Sequence, residues 1–501
     1  MSEKIKQDGP IETCDLCVVG AGVAGLNALA VAREYLPSSA RVILVDQRRA
    51  IGGMWNDTYD YVRLHQPHRM FTAGDIKWRE TNNPAYLANK LEVLTHLNHC
   101  AAECGRAYNL DTFFGFELNG QEEIQQDGEF IAELQFNHTE DPEGVPLIIR
   151  AKRCIKAFGF RVPTNPPLSF SSSRVESIST HGNSLFCEKL SASDAPCYIV
   201  GGGKTAMDTA ATVLNHYPDR EVNLIVGRGT IFLNRDKLFP RGLKRWWGGK
   251  TTLDAFVDLA SHYDGTNADE VFALLKSNYT IQLDENFKHY FFGILSEKEN
   301  FLIKNGVEAI VQDYLTDVED QANRPVMMFR DGQPQAVPDA SCFINCTGYI
   351  AREVHDYDPY VSPHGTIVSV QPTSGIHFLS TFGAYFLTHL LFLGKLSTLK
   401  LYELDYQDLI RKDRFAFPFV SITQTLYNAM LIMDSAPASV MIRCGVDFDN
   451  WFPFHRRLLG GAKLRRNQKR YRGKFKAALD TVQRKHGIRC GELVHDVPKP
   501  K

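Results

Sequence analysis

The sequence predicts an α/β fold made of two β-turn-α-β units, the second inserted within the first, followed by a helical C-terminal extension. Two observations carry the units and a third carries the extension. Residues 15–19 form an apolar run that enters the turn Gly20-Ala21-Gly22-Val23-Ala24-Gly25, and a helix-period segment then reaches about residue 35. The same order recurs at Cys197-Tyr198-Ile199-Val200, where the turn Gly201-Gly202-Gly203-Lys204-Thr205-Ala206 leads into a helix-period segment ending near residue 216. From about residue 400 the apolar spacing is helical to the end of the chain.

Composition sets the frame for these units. A chain of 501 residues with 44% hydrophobic and 23% charged residues can bury a large core, divided among roughly two to four domains. Its formal net charge of −2 argues against a whole-protein field directed at nucleic acid. Eleven cysteines lie scattered without close, even spacing, and residues 1–11 are polar rather than an apolar leader, so a reducing, cytoplasmic setting is expected. The longest apolar stretch, 376–393, is interrupted by His377, Ser380, Thr381, Thr388 and His389 and reads as a buried helix, with no transmembrane segment expected.

In the first unit, three glycines at fixed offsets would arise by chance roughly 0.2 times in a chain this long. Context makes the match informative: a strand precedes, a helix follows, and the next strand, 41–45, is closed by Asp46, 21 residues after Gly25. Gly20 permits the tight turn, Gly22 lets backbone approach a diphosphate, and Gly25 lets the helix pack on the strand. The diphosphate would sit on the helix N-terminus, where free N–H groups and the helix dipole favour negative charge. Asp46 would accept hydrogen bonds from a ribose diol. The expected nucleotide-binding residues of this Rossmann-like unit are Gly20, Gly22, Val23, Ala24, Gly25, Asp46 and Gln47.

The second turn carries Ala206 at the third glycine position, an accepted variant. After its second strand, 222–226, comes Gly227-Arg228, where a NAD-binding unit usually places an acid. A guanidinium there takes a 2′-phosphate through charge-assisted bonds, which predicts NADPH over NADH by roughly 10 to 100-fold. Gly201, Gly203, Lys204, Thr205 and Arg228 are the expected NADPH-binding residues.

Between the units, 84–104 reads as a helix, and 130–136 and 146–152 read as strands around the turn-rich segment 137–144. After the second unit, 243–300 looks helical and loop-rich. Residues 326–330 with Asp331-Gly332 suggest a hairpin before a buried strand at 341–345. The expected domains are 12–190 with 338–400 for the first unit, 191–337 for the second, and 401–501 for a helical, basic extension.

At Gly52-Gly53-Met54-Trp55 the sequence resembles the flavin-containing monooxygenases and related class B flavoprotein monooxygenases. Three further segments are similar to that superfamily: Arg63-Leu64-His65-Gln66-Pro67, the turn from Val200 to Asp208, and Asn345-Cys346-Thr347-Gly348-Tyr349. The resemblance spans about residues 12–395. It implies FAD on the first unit, with Gly53, Met54 and Trp55 along the flavin and Thr347 and Gly348 at the return into the FAD domain. It makes His65 and Gln66 the candidate catalytic residues, hydrogen-bonding near the flavin edge. The departures are specific. Phe170 lacks the linker-motif glycine, the nearest candidate linker histidine is His181, Gln66 stands where the family has Asn, and none of the five tryptophans forms a halogenase motif.

The activity the resemblance implies is that of an NADPH-dependent flavoprotein monooxygenase, in which a FAD C4a-hydroperoxide oxygenates a small-molecule nitrogen or sulfur nucleophile, with O2 as co-substrate. Two alternatives stay open: an NADPH-dependent FAD oxidoreductase without oxygenation, and a non-enzymatic nucleotide-binding redox sensor. Other constellations are weaker. Cys14-x-x-Cys17 on one strand would point its thiols to opposite faces, which disfavours a dithiol mechanism. His96, Cys100 and Cys104 share a helix face, and His65 and His68 have no second ligand segment, so no metal is expected. Residues 456–489 hold thirteen Lys or Arg against the single acid Asp480, expected to form a solvated or subunit-facing helix. An anionic membrane surface or nucleic acid is the alternative, weakly supported because only Tyr471 and Phe475 interleave. The extension would cap the cleft or bury a homodimer interface.

Overall fold

The computed structural model describes residues 9–79, 83–159, 164–181, 188–191, 193–348, 357–377 and 379–493. Two five-stranded parallel sheets organise it. The first runs in the order Ile367–Ser369, Cys154–Lys156, Leu16–Val19, Arg41–Asp46, Asn109–Phe114. The second runs Glu176–Ser179, Cys342–Asn345, Cys197–Val200, Val222–Ile225, Ala309–Val311. Both place the strand that leads into a glycine turn at the centre, flanked on one side by the next strand of its unit and on the other by a strand from much later in the chain. The order therefore reverses at the glycine strand, and a crevice forms at the carboxyl ends there. The central strands are buried along their whole length, as expected of parallel strands covered on both faces.

One face of the first sheet carries the helices Val23–Ala32, Lys90–Gly105 and Ser380–Phe392, packed through Leu26, Leu29, Leu97, Leu387 and Leu390. The other face packs Val19, Ile43 and Val45 against Leu134, Phe136 and Ile149 of a separate sheet, Ile11–Cys14, Leu147–Ala151, Glu129–His138, Phe116–Gln126. Among the described residues, no helix is long and apolar enough to cross a membrane.

Several boundaries differ from expectation. Strand Glu176–Ser179 pairs with Cys342–Asn345 at the edge of the second sheet. The chain has already crossed by Asn165, whose amide donates to the Thr347 carbonyl, while Asn345 donates to the Pro166 carbonyl. The helix expected over 84–104 starts only at Lys90, because Asn89 and Glu92 form a reciprocal capping box. Within 243–300 the chain also forms a strand, His289–Leu295, parallel to Thr230–Asn234. A tighter hairpin precedes the one expected at Asp331-Gly332: Leu315–Gln321 turns into Arg324–Phe329 through Ala322 and Asn323, both at positive φ.

The extension is mostly helical, with Tyr406–Asp413, Phe417–Ser435 and Phe454–His486. It also holds a two-stranded sheet that the helical expectation omits, Tyr402–Leu404 with Cys490–Glu492. The helix Phe417–Ser435 is buried nearly all round, so its polar residues work inward. Gln424 donates to the Gly375 and Tyr402 carbonyls, and Asn428 to those of Ile376 and Tyr402. These bonds tie the extension to the loop that leaves the first sheet.

Candidate functional site

The carboxyl ends of the two glycine strands open onto one cleft of about 1400 Å³. That exceeds the roughly 300–1,000 Å³ of a single small-molecule site and suits two ligands lying side by side. Two helix N-termini face it. The helix Val23–Ala32 is capped by Gly22 and Lys204–His216 by Gly203, and neither cap offers a side-chain acceptor to the N–H groups of the first turn.

The glycines of the two turns meet matching constraints. Gly20 has φ +114°, and a Cβ there would lie 2.7 Å from the Ala157 carbonyl oxygen; Gly201, at φ +139°, would drive a Cβ into the Cys346 carbonyl. A Cβ on Gly25 would overlap the Gly20 carbonyl, so this glycine serves helix-to-strand packing and does not line the cleft. Gly203 is different: nothing lies within 4 Å of where its Cβ would be. That open space above an uncapped helix start is what a diphosphate requires, and the residues present fit one.

Asp46 is buried at the end of its strand, accepting the Ala21 N–H at 2.6 Å and the Arg48 N–H at 2.7 Å, one on each oxygen. A carboxylate has about four acceptor sites, so capacity remains for a ribose diol. Burial pushes its pKa up, opposed by the two N–H donors and by Arg48. Gly53 packs on the glycine turn, its would-be Cβ only 2.7 Å from the Gly22 Cα. Trp55 beside it is buried edge-on against Phe71 at 5.5 Å, and Met54 is exposed in the cleft. Val23, Ala24, Gln47, Thr205, Thr347 and Gly348 also line the cleft, whereas Tyr349 lies outside the described residues.

Lys204 lines the cleft and is held by two acids. Its ammonium bonds Asp208 and lies 3.5 Å from Glu299, and Arg235 bonds Glu299 at 2.5 Å. Burial works to raise the Glu299 carboxyl, but Lys204, Arg235 and the Ser296 donors outweigh it and hold the group at about 2. The quartet of two cations and two anions is neutral, and it joins the units: the Tyr59 hydroxyl donates to Asp208 at 2.7 Å, and the Arg235 Nε donates to the His65 carbonyl at 2.8 Å. Gln66 and His65 both line the cleft. Burial, with Lys204 and Arg235, pushes His65 down to about 3, so its imidazole is neutral at physiological pH.

Arg228 is exposed at the rim of the cleft. Strand pairing sets Thr230 opposite His289, whose N–H donates to the Gly229 carbonyl at 3.1 Å. His289 is pushed down by burial and by two guanidiniums, Arg414 and Arg228, and all three groups line the cleft. Arg414 follows the helix Tyr406–Asp413 of the extension; no local pattern in the sequence links it to Arg228.

A second group escaped sequence reasoning. Lys156, at the end of strand Cys154–Lys156, is buried in an ion pair with Asp358, which also accepts from Ser369 and from Gln371 at 2.9 Å. Ala157, Phe158 and Gly159 follow and line the cleft. A signal was available: Lys156-Ala157-Phe158-Gly159 repeats the pattern of Asn345-Cys346-Thr347-Gly348, and both segments present a carbonyl to the first glycine of a turn.

Other expected groups lie elsewhere. Phe170 packs edge-on against Phe343 at 4.9 Å, and neither it nor His181 lines the cleft. Cys14 and Cys17 do not share a strand as expected: they belong to different sheets, and burial pushes both thiols up, Cys14 to about 12. His96, Cys100 and Cys104 are buried, with His96 stacked on Trp78 at 4.0 Å.

No family model matches the chain. Two curated relatives, the uncharacterized proteins Rv2000 of Mycobacterium tuberculosis (strain ATCC 25618 / H37Rv) and Mb2023 of Mycobacterium bovis, are each 24% identical over 405 residues, covering 77% of this chain and 68% of the relative. Among solved structures, the polycyclic ketone monooxygenase from Thermothelomyces thermophila is similar at 13% identity and TM-score 0.47, covering 89% of this chain and 86% of that one. The ornithine N-hydroxylase KtzI of Kutzneria sp. 744, with reduced FAD, NADP+ and L-ornithine, is similar at 13% identity and TM-score 0.45, covering 76% and 96%. A flavin-containing monooxygenase from Stenotrophomonas maltophilia is similar at 13% identity and TM-score 0.43, covering 76% and 98%. Likeness at this level does not decide chemistry, which the cleft itself must support.

Proposed function

We propose that this chain is an NADPH-dependent flavoprotein monooxygenase acting on a small-molecule nitrogen or sulfur nucleophile. The observation that carries the reading is the pair of uncapped glycine-turn helix starts opening onto one cleft large enough for two dinucleotides. When bound, FAD supplies the two-electron and dioxygen chemistry, and NADPH supplies the hydride.

The chain's own residues bind, orient and shield. Gly20, Gly22, Val23 and Ala24 would hold the FAD diphosphate, Asp46 and Gln47 its ribose, and Gly53, Met54 and Trp55 its ring side, within a discontinuous unit formed before residue 160 and after residue 356. Gly201, Gly203 and Thr205 would hold the second diphosphate. Arg228, joined by His289 and Arg414, would neutralise a 2′-phosphate. Lys204, held between Asp208 and Glu299, would add a cation beside the second nucleotide, while Tyr59 on Asp208 and Arg235 on the His65 carbonyl tie the two units together. His65 and Gln66 offer neutral hydrogen-bonding groups in the cleft, suited to orienting a substrate or ring edge without adding charge. Thr347 and Gly348, which line the cleft, would mark the return of the chain to the FAD-binding unit.

Purified protein should be yellow and should oxidise NADPH in air with consumption of O2, and mass spectrometry should find one added oxygen on an amine or thioether. NADPH oxidation that returns all its electrons to O2 or to another acceptor, across a panel of such nucleophiles, would favour an oxidoreductase without oxygenation. A colourless protein that refuses FAD removes the reading altogether.

A further inference from the structure

Six large apolar side chains stand in solvent at one junction, where the short helix Leu243–Trp247 meets the start of the long helix Phe454–His486. Leu243 is 80% exposed, Trp247 79% and Leu459 67%, with Trp246, Phe454 and Leu458 beside them. On the long helix, Phe454 with Leu458 and His455 with Leu459 are four residues apart, so they form adjacent rows of one face.

The junction is fixed in place. The Arg456 guanidinium donates to the carbonyls of Lys244 and Arg245 at 3.2 Å, Gly248 at 2.8 Å and Gly249 at 2.7 Å. The His455 ring lies against Trp246 at 6.5 Å and Trp247 at 5.5 Å. Beneath, Arg245 stacks over Trp451 at 4.6 Å, and the Trp451 indole donates to the Pro240 carbonyl.

The rim has one sign. Residues 241–250 and 454–466 contain nine Lys or Arg and no Asp or Glu. Among the described residues, three acids from other segments reach this set: Asp258 at Lys250, Asp254 at Lys463 and Asp447 at Arg457. A positive excess remains around the apolar face.

We propose that this face docks on the headgroup region of an anionic lipid bilayer. Tryptophan suits the interface, aliphatic side chains gain by leaving water below it, and each cation near an anionic surface adds attraction. A second copy of the chain would bring two positive rims together, at a cost from like charges. A polyanion such as RNA could use the cations and the indoles, but it offers nothing apolar to Leu243, Leu458 and Leu459. The face lies outside the cleft, so the inference stands whichever reaction the cleft performs.

Co-sedimentation with vesicles of phosphatidylcholine alone, and with about 30 mol% phosphatidylserine added, tests it. Full-length protein should bind the anionic vesicles, and less as salt rises from about 0.1 to about 0.5 M. Trp247→Ser combined with Leu459→Ser should weaken that binding by about tenfold or more, with an unchanged melting temperature because both side chains are exposed. Absence of binding to the anionic vesicles, or equal binding by the double variant, overturns the proposal. So does a lipid-free dimer that the double variant abolishes, which assigns the face to a second copy, or an RNA complex that it abolishes while vesicle binding persists.

Discussion

Gly25 sits directly against Gly20, so close that a Cβ on the former would overlap the carbonyl oxygen of the latter. Gly203, the counterpart of Gly22 in the second turn, has no neighbour among the described residues within 4 Å of the same construction. Two turn glycines therefore meet different surroundings, one packed against backbone and one open to the cleft.

Gly25→Ala should destabilise the protein by about 1–3 kcal/mol, the usual cost of overpacking, because backbone cannot move aside as a side-chain tip can. Gly203→Ala should leave the melting temperature of the nucleotide-free protein within a degree or two, yet raise the KM for NADPH by about tenfold or more, as its methyl group stands where the diphosphate approaches. Differential scanning fluorimetry and steady-state kinetics on both variants separate the two roles.

Arg228→Ala should lower the preference for NADPH over NADH by roughly 10 to 100-fold. Arg414→Ala should shift it in the same direction by about 3 to 10-fold, since a single guanidinium at an exposed rim is worth less. Calorimetry with 2′,5′-ADP and 5′-AMP reads the same contrast without turnover. A wild type that does not distinguish the two probes removes the NADPH assignment, while an effect of Arg228→Ala alone removes Arg414 from the site.

Glu299 links acidity to the joint between the units. Its folded pKa, about 2, is below the ordinary 4.5, so its contribution to stability is present above pH 4.5 and is lost as pH falls toward 2. The difference of about 2.5 pH units at about 1.4 kcal/mol each gives roughly 3 kcal/mol. Glu299→Gln should flatten the acid limb of a melting-temperature profile between about pH 5 and 2, and should cost about 3–5 kcal/mol at pH 7, where it leaves Lys204 and Arg235 with one carboxylate between them.

Asp358→Ala should cost a similar amount, about 3–5 kcal/mol, because it strands the Lys156 ammonium in a buried site. The pair joins strand Cys154–Lys156 to the chain returning after residue 356, so the variant should also lose FAD more readily during gel filtration, read as the ratio of flavin to protein absorbance.

Local patterns carried what was legible beforehand. Both glycine turns, Asp46 and Arg228 depend on spacings of a few residues between a strand and a helix, and the structure places them at one cleft. The pairs Lys156 with Asp358 and Lys204 with Glu299 were not legible, since each joins segments far apart in the chain through burial that no window reveals. Lys204 shows the same limit: its place in the turn was legible, while one of its two acidic partners comes from a distant helix start. Strand Glu176–Ser179 was hidden as well, because its partner Cys342–Asn345 lies far along the chain.

Tyr357 lines the cleft, and the Arg489 guanidinium lies 3.6 Å over its ring while both groups engage Glu403. One wall of the cleft therefore depends on Arg489, just past the long helix Phe454–His486, so loosening of that helix would reach the cleft.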